Sequence, residues 1–174
     1  MAIQIITWMS AFLCLVQVFS VPMPCQLKGQ LVRTTQNLLR DMGGHFPMEC
    51  LQDNVFMEFP ATAFLSSSGA KAIYETLKNI DTLFGTDELP TMWDQQKLDT
   101  CVSTYLCLYR YSVDTSDYPI RAEGLKTYFG NIAAVLKEKK FSYCAWEVVR
   151  KELLYTLEFI LKHNSDSLLW YNRT

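Results

Sequence analysis

The chain has 174 residues, 49% of them hydrophobic, with only seven glycines and six prolines. That is enough for one domain with a real core, and it excludes extended disorder. The net charge of −2 and a pI near 5.7 exclude nucleic acid as the main partner, which would need clustered Lys and Arg against phosphates.

The first twenty residues, MAIQIITWMSAFLCLVQVFS, carry no charged side chain. Val18 and Ser20 suit a cleavage site, and Val21-Pro22-Met23-Pro24 ends any helix. Residues 1–20 therefore read as a secretory signal peptide and 21–174 as the mature domain. The competing reading is a membrane anchor, but no basic stop-transfer flank follows. No later segment is long and apolar enough to span a bilayer, so no membrane insertion of the mature chain is expected.

Five helices follow in chain order. Residues 26–43 place Leu27, Leu31, Leu38 and Met42 at helical spacing and stop at Gly43-Gly44. Residues 44–61 form a long connection with Pro47 and Pro60 and no clear period. Residues 62–84 carry Phe64, Ile73, Leu77, Ile80 and Phe84, and "GTDELP" (85–90) breaks the run. Residues 91–112 carry Leu98, Val102, Tyr105 and Tyr109, before the breaker "DTSDYP" (114–119). Residues 120–139 carry Leu125, Phe129, Ile132 and Leu136. Residues 143–163 carry Trp146, Val149, Leu153, Leu157 and Ile160. No strand alternation or hairpin signal appears. The expectation is an all-α bundle whose long first connection crosses its length.

Catalytic chemistry fails on inventory. There are two histidines, His45 and His163. His163 would lie about 28 Å along the last helix from Cys144, too far to activate it. No GxSxG, HExxH, phosphate-binding or dinucleotide-binding motif is present. Cys101-x5-Cys107 is not a zinc spacing, and Asp87-Glu88 reads as a solvated turn. The chain is expected to be no enzyme and to carry no cofactor or metal.

Helical phase sorts the cysteines. Cys14 leaves with the signal, so Cys25, Cys50, Cys101, Cys107 and Cys144 remain. In an oxidising compartment four can form two bridges and one is left over. Cys101 shares the apolar stripe of the third helix and reads as a buried thiol. Cys107 lies opposite that stripe, where a secreted chain usually supplies a partner. On the last helix, Val148, Tyr155 and Phe159 fall on the charged face beside Lys151, Glu158 and Lys162. Either a partner protein meets them, or the 44–61 connection packs across them. Arg150 falls on the core's flank, where it would pair with an internal carboxylate or a loop carbonyl.

Three motifs then carry a family resemblance. "YFGNIAAVLKEKKFSYCAWEVVRKELL" (128–154) resembles the late-helix signature of type I interferons. "WDQQKLD" (93–99) is similar to the start of their third helix, and "CLQDNVFMEFP" (50–60) to their first long loop. With the signal peptide, the resemblance covers the chain in order, and the cysteine count resembles the four-cysteine group of fish interferons with one extra.

The resemblance implies a five-helix cytokine bundle with long crossover connections and two disulfides, Cys50–Cys144 and Cys25–Cys107, leaving Cys101 free. The family's partner for the N-terminal cysteine lies nearer the end of the third helix than either Cys101 or Cys107, so that second pairing stays open between them. It also implies a secreted, extracellular antiviral cytokine that joins a two-chain class II cytokine receptor and triggers JAK-STAT signalling. Carried over by position, receptor contacts fall on Leu51, Asn54, Lys151, Leu154, Tyr155, Glu158 and Phe159. Asn54 and Tyr155 stand where the family often has arginine, which shifts this face from charge toward apolar area. Asn172-Arg173-Thr174 fits the glycosylation pattern. The alternatives are another secreted helical cytokine or hormone, or a secreted helical carrier of a small molecule.

Overall fold

The computed structural model describes residues 28–65, 69–110 and 123–168, without the side chains of 106–110. The expected signal peptide, Leu27, Cys25, the side chains of Cys107 and Tyr109, and Asn172 lie outside the described residues. So do the outer ends of the expected helices, at 26–27, 111–112 and 120–122.

Five long helices are present: α1 Gly29–Gly43, α2 Gly69–Phe84, α3 Gln95–Arg110, α4 Glu123–Glu138 and α5 Tyr143–His163. A one-turn helix, Ala61–Phe64, and two 3-10 turns, Met48–Asp53 and Ser165–Ser167, complete the described elements. Helix α1 packs on α3 and α5, α2 packs on α3 and α4, and α4 packs on α5. The five helices thus close a ring around one core.

The apolar stripes account for that ring. Ile73, Leu77, Ile80, Leu98, Cys101, Tyr105, Ile132, Trp146, Val149, Leu153, Leu157 and Ile160 are all fully buried. Helix α1 departs from the expected register. Val32 and Leu39 are fully buried, while Leu31 and Leu38 only pack against the core's edge. Both adjacent pairs are apolar, so periodicity along α1 cannot choose between them; contact with α3 and α5 does. Val148 also departs. It was expected on the outer face and is fully buried, because the Met48–Asp53 turn packs on α5.

Helix boundaries follow from caps. Asp94 caps α3, its carboxylate accepting from the Lys97 N–H at 3.1 Å, so α3 begins at Gln95 rather than at 91. Ser142 caps α5, accepting from the Ala145 N–H at 3.3 Å. The expected helix over 62–84 is broken after Phe64. Asn164 explains part of that break: its Nδ2 donates to the Phe64 carbonyl at 2.7 Å. A Cβ on Gly69 would come within 2.8 Å of the same amide. Between α4 and α5, Lys140 and Phe141 both take left-handed backbone, φ 50° and 52°. Each such non-glycine residue costs about 1–2 kcal/mol. The turn is closed by the Phe141 N–H on the Leu136 carbonyl at 2.8 Å and by Phe141 packing against the core.

A buried ion pair sits where α1, α3 and α5 meet. Glu147 is 0% exposed and Arg150 2%. Glu147 Oε1 accepts from the Trp93 indole at 2.6 Å. Its Oε2 accepts from Arg150 Nε at 3.0 Å and Nη2 at 2.6 Å. Arg150 Nη1 donates to the Gly44 carbonyl at 2.9 Å and to the Leu39 and Arg40 carbonyls at 3.4 and 3.5 Å. It therefore adds a donor at the end of α1, where the Arg40 carbonyl also accepts from the Gly44 N–H at 3.0 Å, and places a cation at the negative end of its dipole. Gly43 and Gly44 now separate in role. A Cβ on Gly43 would strike Arg150 Nε at 2.5 Å, while Gly44 takes φ +65°, which a side chain would strain.

Arg150→Met leaves Glu147 buried without its cation. We expect a loss of about 3–5 kcal/mol in urea unfolding, and partial recovery in the double variant Glu147→Leu/Arg150→Met. A single variant as stable as wild type would show that the pair carries no stability.

The Lys97 N–H, helped by the Lys97 charge, holds the Asp94 carboxyl below its ordinary value of 3.8. A carboxylate with a lowered native pKa stabilises the fold above the unfolded value, and that contribution is lost as pH falls through the native one. Asp94→Asn should therefore be less stable than wild type near neutral pH. The gap should close as pH drops below 3.8; a gap that is constant with pH in unfolding curves would refute this.

Candidate functional site

The long connection after α1 does not float over the bundle. It is bonded down the length of α5. Cys50 forms a disulfide with Cys144 at the start of α5, across 94 residues of sequence. Next, Asp53 accepts from Lys139 Nζ at 2.6 Å. On α5, in the residue after Arg150, Lys151 Nζ donates to Asn54 Oδ1 at 2.6 Å and to the Val55 carbonyl at 3.4 Å. Phe59 then stacks edge-on to Tyr155 at 5.1 Å and tilted against Phe159 at 4.9 Å. Finally Asn164 holds the Phe64 carbonyl. From Cys144 to Asn164 the helix rises about 30 Å. Two successive surfaces, connection and helix, thereby become one face.

Phe59 is the hub of that face. It also contacts Phe64 at 5.4 Å and Tyr128 of α4 at 5.6 Å. Its place follows from alternation in an extended segment: Phe56 points out, Met57 in, Glu58 out, Phe59 in. The segment lacked a helical period, and its apolar density, too high for a solvated loop, was the available signal. Phe56, Phe59 and Val55 were not singled out from sequence.

The candidate residues divide by exposure. Leu51 is 50% and Tyr155 51% exposed. Asn54 and Glu158 are exposed, and Leu154 is half-buried. Phe159 is half-buried too, its ring covered by Phe59, Phe64 and His163. So the connection does pack across Phe159, while Tyr155 keeps about half its surface in water.

Electrostatics beneath the face are closed. Lys151 also pairs with Glu152 Oε1 at 3.0 Å. The other Glu152 oxygen accepts from the Tyr128 hydroxyl at 2.9 Å. Burial pushes the Tyr128 phenol well above its usual range, so it remains a proton donor to Glu152. The chain Tyr128–Glu152–Lys151–Asn54 couples α4, α5 and the connection.

No activated nucleophile emerges among the described residues. Cys144 is spent in the disulfide. Cys101 is free but fully buried, and burial pushes its thiol up to about 12, which leaves no thiolate at neutral pH. No group of three or more potential metal ligands occurs among the described residues, and among them no helix is long and apolar enough to cross a membrane. A surface groove of about 500 Å³ between α2 and α4 is lined by Glu75, Lys78, Asn79, Thr82, Glu123 and Lys126, with Leu125 beside them; a mostly charged and polar lining suits water better than apolar cargo.

A helical bundle whose long connection is fastened along its last helix has the architecture of a helical cytokine. The family described as interferon alpha/beta domain matches residues 25–107 and 111–166. The chain is 33% identical over 136 residues to interferon alpha-1 of Equus caballus, covering 67% of this chain and 72% of that protein. It is 34% identical over 149 residues to interferon omega-1 of Homo sapiens, covering 76% of each. Among solved structures, zebrafish interferon 2 superposes with a TM-score of 0.72 at 34% identity, covering 78% of this chain and 98% of the other. The chain belongs to the type I interferon family, a family of cytokines rather than enzymes.

Phe59→Ala empties the hub of the aromatic cluster. Buried Phe→Ala changes cost about 3–5 kcal/mol; discounting for partial exposure, we expect about 2 kcal/mol or more in urea unfolding. Tyr155→Ala should cost about 1 kcal/mol or less. Equal losses for the two would contradict the assignment of one residue to packing and the other to surface.

Proposed function

We propose that the protein is secreted after loss of residues 1–20 and acts outside the cell as an antiviral cytokine. It bridges the two chains of a class II cytokine receptor, and the kinases attached to those chains perform the chemistry. The reading rests on membership of the interferon family and on one observation: the connection is bonded along α5, so Leu51, Asn54, Lys151, Leu154, Tyr155, Glu158 and Phe159 belong to a single face. Rigidity favours binding because less side-chain and loop freedom is lost on association. Tyr155, half exposed beside Phe59, supports an aromatic contact where the family often has arginine.

We further assign the chain to the four-cysteine group of fish interferons, with Cys25–Cys107 as the second disulfide and Asn172 as a glycosylation site. The unreactive, buried Cys101 supports leaving it out of the pairing. Alternative roles as another helical hormone or as a small-molecule carrier have no observation in their favour.

Conditioned medium from cells expressing the full chain should induce antiviral genes in receptor-bearing cells. The purified protein should pull down both receptor ectodomains, and Tyr155→Ala should weaken the tighter one about tenfold. Peptide mapping should recover a Cys25–Cys107 link. A folded, disulfide-bonded protein that binds neither ectodomain and induces nothing would end this reading; a Cys25–Cys101 link would overturn the second pairing.

A further inference from the structure

Phe56 is 92% exposed, more than any other large apolar side chain among the described residues. It is not on a loose tip. Asp53 on one side is ion-paired to Lys139, and Asn54 and Val55 are held by Lys151. On the other side Met57 is buried and Phe59 is wedged against α5. With anchored neighbours before and after it, the ring has no inward option. An aromatic forced into water on a fixed backbone contributes nothing to folding, yet it is the side chain that carries most energy when an interface forms.

Lys151 bears on the same point. Its ammonium has three N–H donors. Asn54 Oδ1, the Val55 carbonyl and Glu152 Oε1 are three acceptors within reach, at 2.6, 3.4 and 3.0 Å. A partner would find no donor left. The ammonium is turned to the connection, although 36% of the side chain stays exposed.

We infer that Phe56 is an apolar anchor that enters a hydrophobic cleft of the receptor chain bound by the α5 face, and that Lys151 is a positioning residue that holds the anchor's backbone. The occupant is the receptor rather than a second copy, because Lys151 bonds this segment to the same helix turn that carries Leu154 and Tyr155. The inference rests on the receptor-binding reading above and adds a contact and a role to it: Phe56 joins the face, and Lys151 leaves the set of direct contacts.

The test uses the full secreted chain and surface binding to each receptor ectodomain. Phe56→Ala should lose about thirtyfold in affinity for one ectodomain, with its thermal midpoint and its affinity for the other unchanged. Phe56→Trp should retain binding. Lys151→Ala should weaken the same ectodomain and speed amide exchange at Val55 to Met57. In the Phe56→Ala background it should add a smaller loss than in wild type, only what it contributes by holding Asn54, since positioning an absent ring has no effect. Unchanged affinity for Phe56→Ala, beside a weakened Tyr155→Ala, overturns the anchor while the receptor reading stands. A full, independent Lys151→Ala loss in the Phe56→Ala background overturns its positioning role. Self-association of wild type that Phe56→Ala abolishes, with receptor binding unaltered, also overturns the inference. Wild type that binds neither ectodomain overturns both readings.

Discussion

A carboxylate with no access to water must find every partner inside the protein, and Glu147 is that carboxylate here. Its oxygens take the Trp93 indole and two Arg150 N–H groups. Arg150 in turn spends its remaining donors on the last carbonyls of α1 and on Gly44. One buried charge thereby fixes the start of α3, the end of α1, the middle of α5 and the point where the long connection leaves. Removing any partner would leave another unsatisfied in a low dielectric, where the penalty is largest. The neighbourhood is consequently all-or-none: Gly43 must lack a side chain so that Arg150 can pass, and α1 must end at that residue.

The connection then follows α5, because the chain leaving Gly44 meets fixed points in sequence. The Cys50–Cys144 bridge removes the freedom of a 94-residue separation, worth about 4.5 kcal/mol in the chain-entropy account. Polar links at Asp53 and Asn54 and the Phe59 cluster continue the fastening. Lys140 and Phe141 carry strained backbone just before α5, and the surrounding Phe141 packing and Lys139–Asp53 pair hold that turn. For a cytokine the consequence is mechanical. A face built from a loop can bind with helix-like precision when the loop has no independent motion.

Much of this was legible in the residues. Stripes in α2, α4 and α5 named core residues that are buried, as did Leu98 and Tyr105 in α3, while Val102 only packs at the core's edge. Phase placed Cys101 in the buried stripe, where it lies, and burial of Arg150 beside a carboxylate and a loop carbonyl matched its place on the core's flank. Less legible were α1, where Leu31-Val32 and Leu38-Leu39 offer two equally apolar registers, and Val148, whose cover comes from a turn about 100 residues away in sequence. The candidate face was legible as apolar positions on α5. The division among them was not, because Phe59 touches both Tyr155 and Phe159 while Phe64 and His163 cover Phe159 in addition.

What the sequence determined by itself was local and repetitive: five amphipathic helices, the glycine stop after α1, and an inventory that carries no catalytic motif. These depend on neighbours within a turn or two, so the linear order of residues is sufficient. The tertiary structure alone decided which registers face inward, that Lys151 turns toward the connection, and that Phe56 stands in water while Phe59 does not. Those outcomes depend on contacts between segments some 100 residues apart, and periodicity carries no information about what a distant segment will cover.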